Sequence, residues 1–186
     1  MKIKFPESGK IKILQVSDPQ DMHIVRSAMV KMLNTVYDKV EPDLVVFTGD
    51  NILGNHLRDA RFGSRKVIHS REGEFAAMEK AISHILSPLE KRNIPFTMIY
   101  GNHDDMNEIT KEEQAGIFLS SPLCAGMGGE TTPEVGTFNL PVYSHDGARK
   151  VFNLWGMDSA WVDKEQDKCR TGVKKEAVEW YVKKSN

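Results

Sequence analysis

The sequence predicts an α/β fold, and three observations support it. Three short apolar segments rich in β-forming residues occur in the first 100 residues, at Ile11–Val16, Leu44–Phe47 and Pro95–Tyr100. Segments with helical hydrophobic spacing separate them, and each apolar segment stops at a polar turn. This βαβ order is typical of a parallel sheet, in which the carboxyl ends of the strands meet at one edge.

Hydrophobic residues spaced three or four apart predict four helices. Pro88 is expected to kink the second helix or end it early, because proline cannot donate a backbone hydrogen bond. Thr110 and Glu113 have the spacing of a capping box at the start of the third. The predicted ranges are residues 21–40, 75–89, 110–119 and 173–184.

The remaining segments predict a hairpin and a long loop. Two β-like runs, Thr137–Tyr143 and Lys150–Met157, flank an Asp-Gly pair, which is a common hairpin turn. Residues 54–73 are rich in Gly, Asn, Arg and Ser, and we expect them to form a surface loop beside the functional site. With 186 residues and no linker, the chain is predicted to be one domain, residues 1–186.

Composition excludes several classes of partner. The 25 Lys and Arg residues balance 26 Asp and Glu, so the net charge of -1 provides no general attraction for nucleic acid. No apolar run is long enough to cross a membrane or to form a signal peptide. Two cysteines are too few for a secreted disulfide framework. The sequence therefore predicts a cytoplasmic protein.

Polar side chains that can bind metal ions follow each predicted strand. Asp18 and Asp50 provide carboxylates, and Asn102 provides an uncharged carbonyl oxygen. Phosphoester hydrolysis at neutral pH needs screening of the anionic substrate and a deprotonated nucleophile, both of which paired metal ions supply. An imidazole can change its protonation state near neutral pH, so the side chain of His103 could protonate the leaving oxygen. The pattern predicts a metal-dependent phosphoester hydrolase.

Each of these residues also has an ordinary structural interpretation. A single Asp at such a turn, including Asp104, most often ends a strand or caps a helix, so the functional interpretation depends on the three turns occurring in order. A basic segment, Arg58 to Arg71, could bind phosphate or form a solvated face. The other histidines are expected to be exposed or locally hydrogen-bonded, with His56 as the main exception: His23, His56, His69, His84 and His145.

The ordered motifs resemble those of a known superfamily. Asp-x-(His or Gln), Gly-Asp and Gly-Asn-His-(Asp or Glu) in this order resemble the calcineurin-like metallophosphoesterases, which have a binuclear metal centre. Residues 47–52, 101–104, 136–140 and 152–159 are similar to the purple-acid-phosphatase-like branch. The resemblance implies a β-sandwich of two sheets flanked by helices, two divalent or trivalent metal ions (Mn, Fe or Zn) and a phosphorylated substrate.

The same resemblance implies a role for each motif residue. Asp18 and Gln20 would bind the first metal, although many members have His at the position of Gln20. Asp50 would bridge both metals, and Asn102 would bind the second. His103 would lie over the phosphate as a proton donor while a metal-held hydroxide attacks phosphorus. Asp104 would support the ligands without touching a metal.

The chain also departs from the family pattern. Family members carry later histidine ligands, including a Gly-His-x-His motif, and no such motif occurs here. We therefore expect an N-terminal portion that carries only part of the site. Its second sheet would then be incomplete and would expose an apolar face that favours self-association. The alternative is an inactive remnant that acts as a binding or interaction module.

Overall fold

The structure is a computed structural model that describes residues 1–58, 67–128, 132–163 and 168–185. These residues form two three-stranded sheets, a two-stranded sheet and four α-helices. The strands are β1 (Ile3–Lys4), β2 (Ile13–Val16), β3 (Leu44–Thr48), β4 (Phe96–Ile99), β5 (Phe138–Tyr143), β6 (Lys150–Gly156), β7 (Ala160–Asp163) and β8 (Lys168–Thr171). The helices are α1 (Ser27–Val40), α2 (Arg71–Glu90), α3 (Lys111–Leu119) and α4 (Lys175–Ser185).

The predicted parallel sheet is confirmed. Its strand order is β2-β3-β4, so β3 is the central strand. Val16 at the end of β2 lies opposite Phe47, and Thr48 at the end of β3 lies opposite Ile99. The three strands therefore end at nearly the same level, and the turns that follow them are neighbours.

The second sheet packs on the first and forms a sandwich. Its order is β1-β5-β6, with β1 parallel and β6 antiparallel to β5. Alternate residues of β3 face opposite layers, as strand geometry requires. Leu44 packs against the second sheet, whereas Val45 and Phe47 belong to the core beneath the helices. The sandwich flanked by helices is thus confirmed.

Helices α1, α2 and α3 cover the other face of the parallel sheet. Leu33 and Tyr37 of α1 and Met78 and Ile82 of α2 are almost completely buried in this core. The rings of Phe47 and Phe96 lie edge to face within it, and the Phe96 ring also meets a phenylalanine of α3 in the same geometry. The parallel sheet is therefore covered on both faces, which explains why its strands are almost entirely apolar.

Several helix boundaries differ from the predictions: α2 begins at Arg71 and not at residue 75, and α4 begins at Lys175 and not at residue 173. Helix α1 begins at Ser27, not at residue 21, because Asp21 is held in a β-bridge to Ile52 and its carboxylate accepts the Arg26 N–H. Helix α2 continues past Pro88 to residue 90, because the proline lies in the last turn, where the helix loses a single hydrogen bond before it ends.

The capping box of α3 is confirmed. The Thr110 hydroxyl accepts the Glu113 backbone N–H at 3.2 Å, and the Glu113 carboxylate accepts the Thr110 N–H at 2.9 Å. The predicted hairpin is also present as β5 and β6, and Gly147 lies in its turn with φ 77°. Strands β1, β7 and β8 were not predicted, because their short sequences IK, AWVD and KCRT lack the longer, mainly apolar run that identified β2 and β4.

The predicted surface loop of residues 54–73 is only partly described. It begins with a short 3₁₀ helix, Gly54–His56, and its last residues already belong to α2, while residues 59–66 lie outside the described structure. In the described part of the chain, no helix has the length and apolar character needed to cross a membrane.

Candidate metal centre

The three predicted ligand turns lie side by side at the carboxyl edge of the parallel sheet. Asp18 follows β2, Asp50 follows β3, and Asn102 and His103 follow β4. Main-chain pairing continues past the strand ends, since the Asp18 N–H donates to Gly49 O at 3.1 Å. The Gln20 N–H likewise donates to Asp50 O at 3.0 Å. The first two turns therefore form one hydrogen-bonded unit.

The backbone of this unit is strained. Asp18, Gln20 and Asp50 all have left-handed conformations, with φ values of 56°, 44° and 49°. Residues with a side chain rarely adopt this region, and it persists only where surrounding bonds hold it. All three are predicted ligands. Strain concentrated at such positions is typical of functional sites.

Asp50 lies at the centre of the site. One carboxylate oxygen accepts the His103 backbone N–H at 3.0 Å, and the other accepts a weaker hydrogen bond from the Gln20 side-chain amide at 3.4 Å. Gly101 makes this approach possible, because a Cβ atom there would lie 2.1 Å from the first of these oxygens. The structure thus brings Gln20, Asp50 and His103 together.

The other two predicted ligands flank this centre. The Asp18 side chain is exposed and accepts a hydrogen bond from the Ser17 hydroxyl. Asn102 is half-buried and precedes the short 3₁₀ helix His103–Asp105. Both side chains lie in turns beside Asp50, but within the described residues no hydrogen bond links either of them to its carboxylate.

The His103 ring is oriented by Asn55, a residue that the sequence did not single out. His103 Nδ1 lies 3.0 Å from the Asn55 side-chain oxygen. An amide oxygen only accepts hydrogen bonds, so this contact places a proton on Nδ1. The other ring nitrogen, Nε2, then faces away from Asn55 and is the atom that could exchange a proton with a substrate.

The buried side chain of Asp104 connects the turn after β3 to the turn after β4. Its carboxylate is fully buried and accepts the backbone N–H groups of Asn51, Ile52 and Gly101 at 2.7 to 2.9 Å, together with the Asn51 side-chain amide. Burial raises the pKa of Asp104 to about 7, opposed by the backbone hydrogen bonds. The supporting role predicted for Asp104 is consistent with these contacts.

Asp21 and His84 form a further polar link that the motifs did not reveal. The Asp21 carboxylate is completely buried, and one of its oxygens lies 2.7 Å from Nδ1 of His84 in α2. Asp21 directly follows the ligand Gln20, whereas His84 is 63 residues away. His84 was expected to be exposed or locally hydrogen-bonded, and its partner instead lies in a distant ligand turn.

The donor set suits oxygen-preferring metal ions. It combines the carboxylates of Asp18 and Asp50 with the amide oxygens of Gln20 and Asn102, which are hard ligands. Among residues 1–58, 67–128, 132–163 and 168–185, no group of three or more His, Cys, Asp and Glu side chains could hold a metal ion. The amides are therefore essential to any complete shell formed by the described residues.

The basic segment beside the site is partly neutralised. Arg58 forms ion pairs with Glu74 at 2.8 Å and with Glu108 at 2.7 Å. Arg71 pairs with Glu113 at 2.6 Å. Both arginines connect elements of the fold, which favours the structural interpretation for them. The remaining basic residues of the segment, Arg61, Arg65 and Lys66, lie outside the described residues.

Comparison with known proteins gives a family match over most of the chain. Residues 11–182 match the family described as Calcineurin-like phosphoesterase. An uncharacterized protein of Schizosaccharomyces pombe is 31% identical over a 151-residue alignment that covers 72% of this chain and 26% of that protein. The matched region contains all five predicted site residues: Asp18, Gln20, Asp50, Asn102 and His103.

Two other relatives carry functional names. Probable inactive purple acid phosphatase 29 of Arabidopsis thaliana is 27% identical over 188 residues, covering 85% of this chain and 42% of the relative. Phosphatase DCR2 of Saccharomyces cerevisiae is 28% identical over 175 residues, covering 82% of this chain and 27% of the relative. The chain thus spans less than half the length of these curated relatives.

Proposed function

Because this chain belongs to the calcineurin-like phosphoesterase family and is homologous to purple acid phosphatase-like proteins, we propose that it contributes the site of a metal-dependent phosphatase or phosphodiesterase. The observation that carries this proposal is the meeting of Gln20, Asp50 and His103 at the strained edge of the parallel sheet. A relative named as a phosphatase supports the same chemistry.

The described residues fit a binuclear centre in part. Asp18 and Gln20 would hold one ion, Asp50 would be shared, and Asn102 would hold the second. The oxygen donors of this set accept Mn, Fe or Zn. When bound, such ions screen the charge of a phosphate ester and lower the pKa of water. The central position of Asp50, between Gln20 and His103, supports its assignment as the shared ligand.

The protein's own groups would orient the ligands and move a proton. The His103 backbone N–H and the Gln20 side-chain amide donate to different oxygens of Asp50, which restricts the rotation of the carboxylate. The contact from Asn55 fixes the ring of His103. In the imidazolium form, which carries a proton on each ring nitrogen, His103 would donate the Nε2 proton to the leaving oxygen of a phosphorylated substrate and keep the Nδ1 proton on Asn55.

A second candidate function is binding without turnover. Two observations favour it: a homologue is named as inactive, and the described residues include no cluster of three His, Cys, Asp and Glu side chains. In this function the same turns would bind a phosphorylated ligand or a single cation. The chain would then act as an interaction module.

Replacing Asp50 with Asn tests both candidates. We expect the wild-type chain to bind Mn²⁺ in calorimetry and the variant to bind it at least about 100-fold more weakly, because it removes the shared carboxylate. In a polypeptide that also supplies the later histidine ligands, the same substitution should lower the hydrolysis of p-nitrophenyl phosphate by a similar factor. Asp146→Asn is the matched control, since Asp146 lies in the hairpin turn of the second sheet.

The outcomes separate the candidates. Mn²⁺ binding that is lost in Asp50→Asn, without hydrolysis even in a polypeptide that supplies the later histidine ligands, would favour the binding module. Failure of the wild-type chain to bind Mn²⁺ would contradict the metal-dependent proposal. An equal loss in Asp146→Asn would mean that the effect of Asp50→Asn is not specific to the site.

Self-association through the second sheet stays a prediction. Val151 and Phe152 of β6 are 47% and 48% exposed, and such apolar residues would be buried if a second copy packed on them. Sedimentation over a range of concentrations checks this expectation. A monomer that persists at high concentration would contradict it.

A further inference from the structure

The carboxylate of Asp21 is a buried acid that the proposed chemistry does not use. The residue has no exposed surface, one oxygen accepts the Arg26 backbone N–H at 3.0 Å, and the other meets His84 Nδ1 at 2.7 Å. Burying a carboxylate is costly unless donors compensate it. His84 is therefore a necessary partner of Asp21 in this conformation.

Asp21 also connects the two strained ligand turns through its backbone. Its N–H donates to Asn51 O at 3.3 Å, and its own carbonyl accepts the Leu53 N–H at 2.8 Å. One residue before it, Gln20 has φ 44°; one residue before Asn51, Asp50 has φ 49°. Asp21 is thus one of the points at which the two turns are attached to each other, and through His84 it also attaches them to α2.

A link to a helix can hold a strained turn in place. Left-handed conformations of residues other than glycine persist only where the surroundings over-determine them. Helix α2 is anchored in the core by Met78, Ile82 and Ile85, which are almost completely buried, so it offers a rigid support. His84 lies between these anchors and transfers that rigidity to the turn.

We propose that His84 is a positioning residue of the candidate metal centre: through its hydrogen bond to Asp21, it fixes the turn that presents Asp18 and Gln20. The expected effect of His84 on metal binding rests on the proposed function. The link from His84 through Asp21 to the turn does not depend on that function. His84 itself contacts neither ligand among the contacts described, so its effect passes through Asp21.

Substitutions at His84 test the link. His84→Ala removes the donor, whereas His84→Asn retains an N–H near the position of Nδ1. Ser83→Ala is the matched control, because the Ser83 hydroxyl is exposed and bonds only to Lys80 O of the same helix in the described contacts. A core variant outside the turn, Leu33→Val in α1, controls for a general loss of stability.

Amide hydrogen exchange is the first measurement. In His84→Ala, we expect faster exchange at the amides of Gln20 and Asp21, with no change at Val45 in the middle of β3. His84→Asn should restore most of the protection, and Ser83→Ala should leave it unchanged. Unchanged exchange at Gln20 and Asp21 in His84→Ala would overturn the inference.

Mn²⁺ affinity is the second measurement. We expect His84→Ala to bind Mn²⁺ about 10- to 100-fold more weakly, as found for residues that orient metal ligands, and His84→Asn to recover most of the affinity. Equal weakening in Leu33→Val would overturn the inference, because it would make the effect one of stability. If the wild-type chain binds no Mn²⁺, the proposed function fails, and the exchange measurement alone decides the link.

Discussion

The turns of the two main sheets differ in how they accommodate a left-handed backbone. At the edge of the parallel sheet, the left-handed residues include Asp18, Gln20 and Asp50, all of which carry side chains. At the hairpin turn of the second sheet, the corresponding residue is Gly147. Glycine adopts this conformation without steric cost, so the second turn is relaxed where the first is strained.

The carboxylates at the two sets of turns also differ, both in burial and in whether their partners are local or distant in sequence. Asp104 and Asp21 are buried and bind groups from other parts of the chain. Asp146 is exposed and binds only Ser144 and Ala148 of its own turn in the described contacts. The hairpin turn is thus stabilised locally, whereas the ligand turns depend on distant partners. A left-handed backbone at residues other than glycine is locally unfavourable, so it requires hydrogen bonds from distant partners to hold it.

The largest effect on stability is expected from Asp104→Ala. The substitution leaves three buried N–H groups without an acceptor, each costing about 1 kcal/mol or more, so we expect a loss of about 3 kcal/mol in the free energy of unfolding. Urea denaturation measures it. Asp146→Ala is the control, and a similar loss in both variants would remove the distinction between the two turns.

The sequence predicted the parallel sheet well because its strands are covered on both faces. Continuous apolar runs such as Leu44–Phe47 have few other interpretations. The strand order β2-β3-β4 was seen only in the structure. Helix starts were less predictable. The residues from Asp21 onward have helical spacing, but the bridge to Ile52 competes for the same backbone and delays α1.

The site was predictable only where its residues directly follow a predicted strand within a recognisable motif. The motifs around Asp50 and His103 were recognisable because each follows a predicted strand. The structure brings these two residues into contact. The residues that hold the site residues in place had no such signal in the sequence. His84 reaches Asp21 across 63 residues, and Asn55 meets His103 across 48 residues. Such pairs depend on how the helices and turns pack, which hydrophobic spacing does not encode.

A smaller effect is expected from Gly147→Ala. An alanine at φ 77° would be strained, because its Cβ disfavours the left-handed conformation that the ligand turns also adopt. We therefore expect the free energy of unfolding to fall by about 1 kcal/mol and the Mn²⁺ affinity to stay unchanged. Gly116→Ala is the matched control, because its added Cβ meets nothing within 4 Å in α3 and should instead stabilise the chain slightly. Equal losses at both glycines would show that conformation is not the cause.

The smallest effect is expected from Glu113, an exposed carboxylate that contrasts with Asp104. The hydrogen bond from Arg71, supported by the Thr110 N–H, lowers the pKa of Glu113 to about 2. Since its pKa is lower in the folded state, Glu113 contributes stability above its ordinary pKa of 4.5, and this contribution is lost as pH falls from there towards 2. Urea midpoints between pH 6 and 2 should therefore fall less steeply in Glu113→Gln than in the wild-type chain. Glu112→Gln, one residue away in the same helical turn, should retain the wild-type slope. If Glu113→Gln also retains that slope, the prediction is contradicted. Solvent would then screen the ion pair of Glu113 with Arg71 so strongly that the pair adds nothing measurable to the stability.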